Sequence, residues 1–236
     1  SDSELDKYIA DCLDKDVEIL PPDINESNYG FTPVDNSTIR FGLSSIKGVG
    51  AKGLEEIVKY QPYKNMDDMY NRVNRRKANK TVFESLIKAG CFDTMDDNRN
   101  KLLEDYKELK ESGGQRSESL FGDMYTPDTN KEDIIKMEKE KLGIPITYMS
   151  DWMTTKDGEK TTIEGKVTNV FTTRTKHGDL MAFVTISTLY DDIEVVVFPS
   201  CYGDNHHLLE NGKELKVKGK KDESKLLAKK VKQPKE

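Results

Sequence analysis

Ile39-Arg-Phe-Gly-Leu-Ser-Ser-Ile-Lys-Gly-Val-Gly-Ala-Lys-Gly-Leu-Glu-Glu-Ile-Val58 is the stretch that decides how this 236-residue chain is read. Leu43, Ile46, Val49, Leu54, Ile57 and Val58 recur at the spacing of apolar-faced helices. That spacing predicts two short helices, 39–47 and 51–60, broken by Gly48-Val49-Gly50. Glycine reaches backbone conformations closed to residues with a Cβ, and it leaves the main chain open to an approaching group. Val49 anchors such a turn in the core, while the first amides of the second helix remain unpaired donors. A helix N-terminus with free N–H groups attracts anions, and Lys47 and Lys52 flank this one.

Glycine, apolar residue, glycine between two helices is the helix–hairpin–helix signature, and the anion it implies is the phosphate backbone of duplex DNA. The same pattern also serves as a plain turn between core helices. Ile87-Lys-Ala-Gly-Cys91 echoes Ile46-Lys-Gly-Val-Gly50 with one displaced glycine. Gly90 fits equally well as an ordinary helix-ending residue. Further helices are expected over 66–73, over 79–88, from Asp97 or Asn98 to 110, and from an Asn130 cap to 142. Two hairpin pairs with a connector helix make a tandem helix–hairpin–helix domain. Asn71-Arg-Val-Asn-Arg-Arg-Lys-Ala-Asn-Lys80 contains no acid, so Arg75, Arg76, Lys77 and Lys80 join Lys47, Gly48, Val49, Gly50 and Lys52 as candidate duplex contacts.

Upstream, Ser3 is read as the cap of a helix with Leu5, Tyr8, Ile9, Cys12 and Leu13 on one face. A short strand over 17–20 stops at Pro21-Pro22, and 31–34 and 38–41 suggest a hairpin. Downstream of Trp152 the period becomes alternating. Strands are expected over 161–175, with a bulge at Gly165, then 180–187, 193–198, 215–220 and 226–231, with a helix in 199–211. Five strands with a helix between the third and fourth is the order of an OB barrel. The fold class is therefore α+β multidomain: an all-α tandem helix–hairpin–helix domain followed by a five-stranded OB β-barrel. In that fold ligands cross strands two and three between the loops joining strands one to two and four to five. Arg174, Lys176 and His177 lie in the first loop and Lys220, Lys221 and Lys225 in the second. Phe171, Phe183 and Phe198 are the aromatics placed to stack on bases, and at least one is expected to fill the barrel core.

Composition bounds the rest. Charged residues make up 34% and the formal net charge is −6, so any nucleic-acid footprint is local. No run approaches the roughly 20 apolar residues of a membrane span, and no signal-peptide pattern opens the chain. Cys12, Cys91 and Cys201 are scattered, as expected of reduced cytosolic thiols. Asp67-Asp68, Asp96-Asp97 and Asp191-Asp192 sit where Asp caps helices or forms turns. His206 and His207 are adjacent and make a poor metal pair. Neither a nucleophile–base constellation nor a phosphate-binding loop motif is present, so the catalytic and metal sets are both expected to be empty.

Val17-Glu-Ile-Leu-Pro-Pro-Asp-Ile-Asn25, Arg40-Phe-Gly-Leu43 running into Ile46-Lys-Gly-Val-Gly50, Leu86-Ile-Lys-Ala-Gly-Cys-Phe-Asp93, Met181-Ala-Phe-Val-Thr185 and Ile193-Glu-Val-Val-Val-Phe-Pro199 follow one another in order. Together they resemble the C-terminal half of the bacterial family C DNA polymerase III alpha subunits. The resemblance implies the end of a fingers region over 1–38, a tandem helix–hairpin–helix domain over 39–111, and a linker with a clamp-like peptide over 112–130. A connecting helix and segment over 131–160 and an OB domain over 161–236 follow. It implies duplex DNA, single-stranded DNA, a sliding clamp and the remainder of the alpha chain as partners, in the cytoplasm and without a membrane. No cofactor is implied for this segment; Mg belongs to palm carboxylates of the parent polymerase. The family's clamp peptide corresponds to Ser117-Glu-Ser-Leu-Phe121, with Ser117, Leu120 and Phe121 as its contacts, although the usual leading Gln is absent. The linker and Thr188-Leu-Tyr-Asp-Asp192 also depart from the family pattern, as in a divergent polymerase encoded by a phage or mobile element. Two other classes fit the motifs: a helix–hairpin–helix plus OB module of a repair enzyme such as a DNA ligase, and a protein-binding adaptor, which the acidic net charge favours.

Overall fold

The computed structural model describes residues 2–114 and 126–234. The candidate clamp contacts Ser117, Leu120 and Phe121 lie outside the described residues. The chain divides into two compact units, Ser1–Tyr148 and Met149–Glu236.

In the first unit, α1 (Asp2–Asp14) buries Ile9 and Cys12. It begins at Asp2, so Ser3 falls within it rather than capping it. Strands β1 (Glu18–Leu20), β2 (Thr32–Pro33) and β3 (Thr38–Arg40) form a small sheet in the order β1-β3-β2. The expected β2–β3 hairpin is present; the parallel pairing of Ile19 with Ile39 is an addition. That pairing changes the expected helix over 39–47. Residues 38–40 are committed to the sheet, a Cβ at Gly42 would lie 2.3 Å from the Gly30 main chain, and one 3-10 turn, Leu43–Ser45, remains.

The block after Pro21-Pro22 is a latch. Asp23 accepts the Asn25 and Glu26 amides and the Thr94 hydroxyl. Asn25 exchanges two hydrogen bonds with the Tyr63 main chain, at 2.8 and 2.7 Å, and the Ile24 amide donates to the Cys91 carbonyl.

Helices α2 (Ala51–Lys59), α3 (Met66–Arg72), α4 (Lys80–Lys88), α5 (Arg99–Glu111) and α6 (Lys131–Leu142) complete the unit. Asn65, Asn79, Asn98 and Asn130 each cap the helix they precede by accepting a main-chain amide. Leu54, Ile57, Met69, Phe83, Leu86 and Ile87 face the core, and Phe83 stacks on Tyr106 with centroids 4.9 Å apart.

In the second unit, α7 (Asp151–Thr154) leads into β4 (Lys160–Arg174), β5 (Leu180–Ser187), β6 (Asp192–Val197), α8 (Pro199–Asn205), β7 (Glu214–Asp222) and β8 (Lys225–Lys232). The strands close into a barrel in the order β4-β5-β6-β8-β7, with β6 and β8 parallel. Ile163, Val184, Ile186, Val195, Leu215 and Val217 alternate inward. Two details differ from expectation. The bulge lies between Val167 and Asn169, not at Gly165, whose absent Cβ instead admits the Ser187 carbonyl. No phenylalanine enters the barrel core: branched aliphatic side chains fill it, leaving Phe171 and Phe198 60% and 42% exposed.

Candidate nucleic-acid interface

The first hairpin is built as its glycines require at one position only. Gly48 has φ +97°, which L side chains rarely adopt, and a Cβ there would lie 2.3 Å from Ser85 Oγ and 3.3 Å from Thr81 Cγ2. Gly48 therefore fixes both the turn and its seat on α4. Gly50 is different from expectation. Its φ of −78° suits any residue, and nothing lies within 4 Å of where its Cβ would be. What Gly50 leaves open is space in front of α2. As N-cap it supplies no side-chain hydrogen bond, in contrast to the four Asn-capped helices of the same unit. Val49 is buried beneath the turn, while Gly48, Gly50, Ala51 and Lys52 are exposed. The N-terminal amides of α2 thus face outward with their partial positive charge unneutralised.

The basic run is brought beside this turn. The Lys77 carbonyl and the Val82 side chain lie 3.2 and 3.1 Å from a Cβ built at Gly53, in the first turn of α2. Glu56 holds that loop in place: its carboxylate accepts the Asn74 amide at 2.9 Å and the Lys77 ammonium at 3.1 Å. Those contacts, the Asn74 amide foremost, hold the Glu56 carboxyl below its ordinary pKa. Arg75 lies over the Tyr70 ring at 4.8 Å, and Lys80 pairs with Glu84 at 3.5 Å. Arg76 and Lys52 are exposed and form no ion pair among the described residues. Lys47 continues the cluster, and its amide donates to the Lys141 carbonyl at the end of α6.

The second helix pair, α4 and α5, has a closed loop. Gly90, at φ +82°, ends α4, with the Cys91 amide returning to the Leu86 carbonyl. The amides opening α5 are occupied, Lys101 by Asn98 Oδ1 and Asn100 by Thr129 Oγ1. Beneath it lies a group that sequence reading missed. Arg99 is fully buried and donates to Asp93, to the Lys88 carbonyl and, at 2.8 Å, to Glu138, itself fully buried. Burial pushes the Asp93 carboxyl up despite the neighbouring guanidinium. In sequence this Arg is indistinguishable from a surface one; the only signal was its place just after a capping Asn.

On the barrel, Phe171 and Phe183 are direct cross-strand partners with centroids 6.5 Å apart. Phe183 is in register with Val196, and Val196 with Leu227, so an apolar row crosses β4, β5, β6 and β8 on the outside. Lys225 lies 5.8 Å over Phe183 and pairs with Glu194 at 2.6 Å. Arg174 folds onto its own turn, donating to the Gly178 carbonyl, while Lys176 and His177 are exposed at the tip. Phe198 stands apart as the N-cap of α8. The second loop is shorter than expected: β7 runs to Asp222, leaving Lys220 on a strand and Glu223-Ser224 as the turn. Lys221 turns away, donating to the Trp152 and Thr155 carbonyls at 2.9 and 2.7 Å, and burial pushes its pKa down.

Two of the carboxylate pairs hold structural partners. Asp68 accepts the Lys64 amide and Arg72, and Asp96 accepts the Asn98 amide and Lys101. Among the described residues no three His, Cys, Asp or Glu side chains group to hold a metal ion. No described helix is long and apolar enough to cross a membrane.

An open-ended hairpin ringed by cations and a five-stranded barrel with an aromatic outer row define a nucleic-acid-binding class, and comparison with known proteins agrees. A helix-hairpin-helix motif model matches residues 16–102, and an OB-fold nucleic acid binding domain model matches residues 161–230. The chain is homologous to a segment of DNA polymerase III subunit alpha. It is 36% identical over 231 residues to that subunit from Aquifex aeolicus, covering 87% of this chain and 19% of the relative. With the Thermus aquaticus subunit it shares 30% identity over 83% of this chain and 19% of the relative. With the Bacillus subtilis subunit it shares 27% over 93% and 23% respectively. The chain thus spans about a fifth of the length of the curated relatives it matches.

Proposed function

We propose that this chain is the DNA-holding part of a replicative DNA polymerase alpha subunit. The observation that carries the reading is the uncapped N-terminus of α2, with open space at Gly50 and the 75–80 loop tethered beside it by Glu56. Main-chain amides and Lys47, Lys52, Arg75, Arg76, Lys77 and Lys80 take backbone phosphates of duplex product. Such contacts position DNA without reading its sequence, as a processive enzyme requires. The Phe171–Phe183 row stacks bases of the single-stranded template, with Lys176, His177 and Lys225 contributing charge. Leu120 and Phe121 dock in the apolar pocket of a sliding clamp. Phosphoryl transfer and its two metal ions belong to a palm domain elsewhere in the parent polymerase.

A gel shift on a primed template tests the reading. The chain should retard the primed duplex at low salt regardless of sequence, and failure to retard it would refute the proposal. The clamp contact is tested separately by titrating a peptide spanning residues 113–124 against the cognate clamp; no binding at high micromolar peptide would remove it.

A further inference from the structure

We propose that the lysines on the outer face of β7 and of the adjoining parts of β4 and β8 form a second nucleic-acid surface, distinct from the row led by Phe171 and Phe183, and that it takes the phosphate backbone of a single strand. The register sets lysines directly opposite one another. Lys160 faces Lys220 across β4 and β7, and Lys218 and Lys216 face Lys230 and Lys232 across β7 and β8. All six are exposed. Like charges directly opposite in an antiparallel pair are destabilising, and this barrel carries three such pairs on one face. Lys216 has a counter-charge, Glu164 at 3.0 Å; the other five form no ion pair among the described residues. Both signs are interspersed at one end of the face, where Glu164 is opposite Lys216 and Lys166 opposite Glu214, as solubility alone would have it, whereas Lys160, Lys218, Lys220, Lys230 and Lys232 have no acid directly opposite them on these strands. In a chain of net charge −6, this concentration calls for an anionic partner that relieves the repulsion.

The chemistry of the face selects the partner. Protein interfaces have apolar or aromatic centres, whereas here the inward positions of β7, Leu215 and Val217, are buried and the outward ones between the terminal Glu214 and Asp222 are Lys216, Lys218 and Lys220. Lysines two apart along a strand are about 6.7 Å from one another and those across strands about 5 Å. That spacing suits successive phosphates of an extended strand, held as point charges without base readout. The proposal stands apart from the aromatic row, which makes its own prediction.

The test uses the whole chain and a 30-nucleotide oligothymidine, with affinity measured by fluorescence anisotropy over a range of salt. Lys218→Gln, Lys230→Gln and Lys232→Gln together should weaken binding on the order of 10- to 100-fold and reduce the log–log salt slope by about 2. Their melting temperature should hold or rise, because the repulsion is gone. Lys160→Gln with Lys220→Gln, a second variant on the same face, should act in the same direction. Phe171→Ala with Phe183→Ala should lower affinity while leaving the salt slope intact. Wild-type affinity and slope in both lysine variants would overturn the proposal. So would displacement of the oligonucleotide by poly-glutamate at equal charge concentration, because the face would then be a site for acidic protein.

Discussion

Gly50→Asp separates the stability of the first hairpin from its proposed use, because the two should move in opposite directions. Gly50 is the N-cap of α2, has ordinary dihedrals, and has nothing within 4 Å of a new Cβ. An Asp can enter without strain and accept the α2 amides as Asn79 does for α4. Replacing a Gly cap by Asp is worth a few tenths of a kcal/mol, and a carboxylate at a helix N-terminus adds about 0.3–1 kcal/mol. The melting temperature should therefore rise by about 1–4 °C. The same carboxylate occupies the amides proposed for phosphate and repels it. Losing a charge-assisted hydrogen bond costs about 1.5–3 kcal/mol, equivalent to roughly 10- to 150-fold in duplex affinity. The salt slope should also fall by about 0.9 for each phosphate that is no longer neutralised. Anisotropy on a labelled duplex of about 20 base pairs and calorimetry on the same protein measure both. A variant that melts higher yet binds duplex with parental affinity and slope would refute the reasoning.

Gly48→Ala should instead damage the fold. A left-handed non-glycine residue costs roughly 1–2 kcal/mol, and the new Cβ meets Ser85 Oγ. Ser85→Ala removes a buried hydroxyl with no hydrogen-bond partner among the described residues, so it should be neutral or stabilising and should partly rescue Gly48→Ala in a denaturant-based double-mutant cycle. Glu56→Gln should lower stability at neutral pH. The folded Glu56 carboxyl lies below its ordinary value of 4.5, so its contribution is present above that value and lost as pH falls through the lowered one. Wild type and variant should therefore converge in urea unfolding as pH falls through that lowered value, and a gap independent of pH would contradict this account. Phe171→Ala, at a side chain 60% exposed, should leave stability unchanged and weaken oligothymidine binding about 5- to 150-fold for one stacked base.

Local chemistry made much of the fold legible. The Asn caps of α5 and α6 and the alternation of Ile, Val and Leu in the barrel strands each act within a few residues, and each is where the sequence places it. Pairings set by distant chain segments were not legible. Ile39 and Phe41 fit a helix face as well as a strand, and only the parallel partner Ile19, well upstream in the chain, decides between them. Gly48 and Gly50 look alike in sequence, but only one has a positive φ. The lysine pairs of β7 and β8 depend on register across a bulge at residues 218–219. A buried arginine such as Arg99 depends on Glu138, 39 residues away. At the candidate site, the hairpin and its flanking lysines were readable; the tether from Glu56 that sets the basic loop beside them was not.

The most direct measurement of the central claim is an amide chemical-shift titration of the deuterated, 15N-labelled chain with a mixed-sequence duplex. The account predicts that the largest shifts fall on the amides of Gly50, Ala51, Lys52 and Gly53, with smaller ones along residues 75–80, and that all of them fade as salt is raised. Duplex binding that leaves the amides of residues 50–53 unshifted would contradict it.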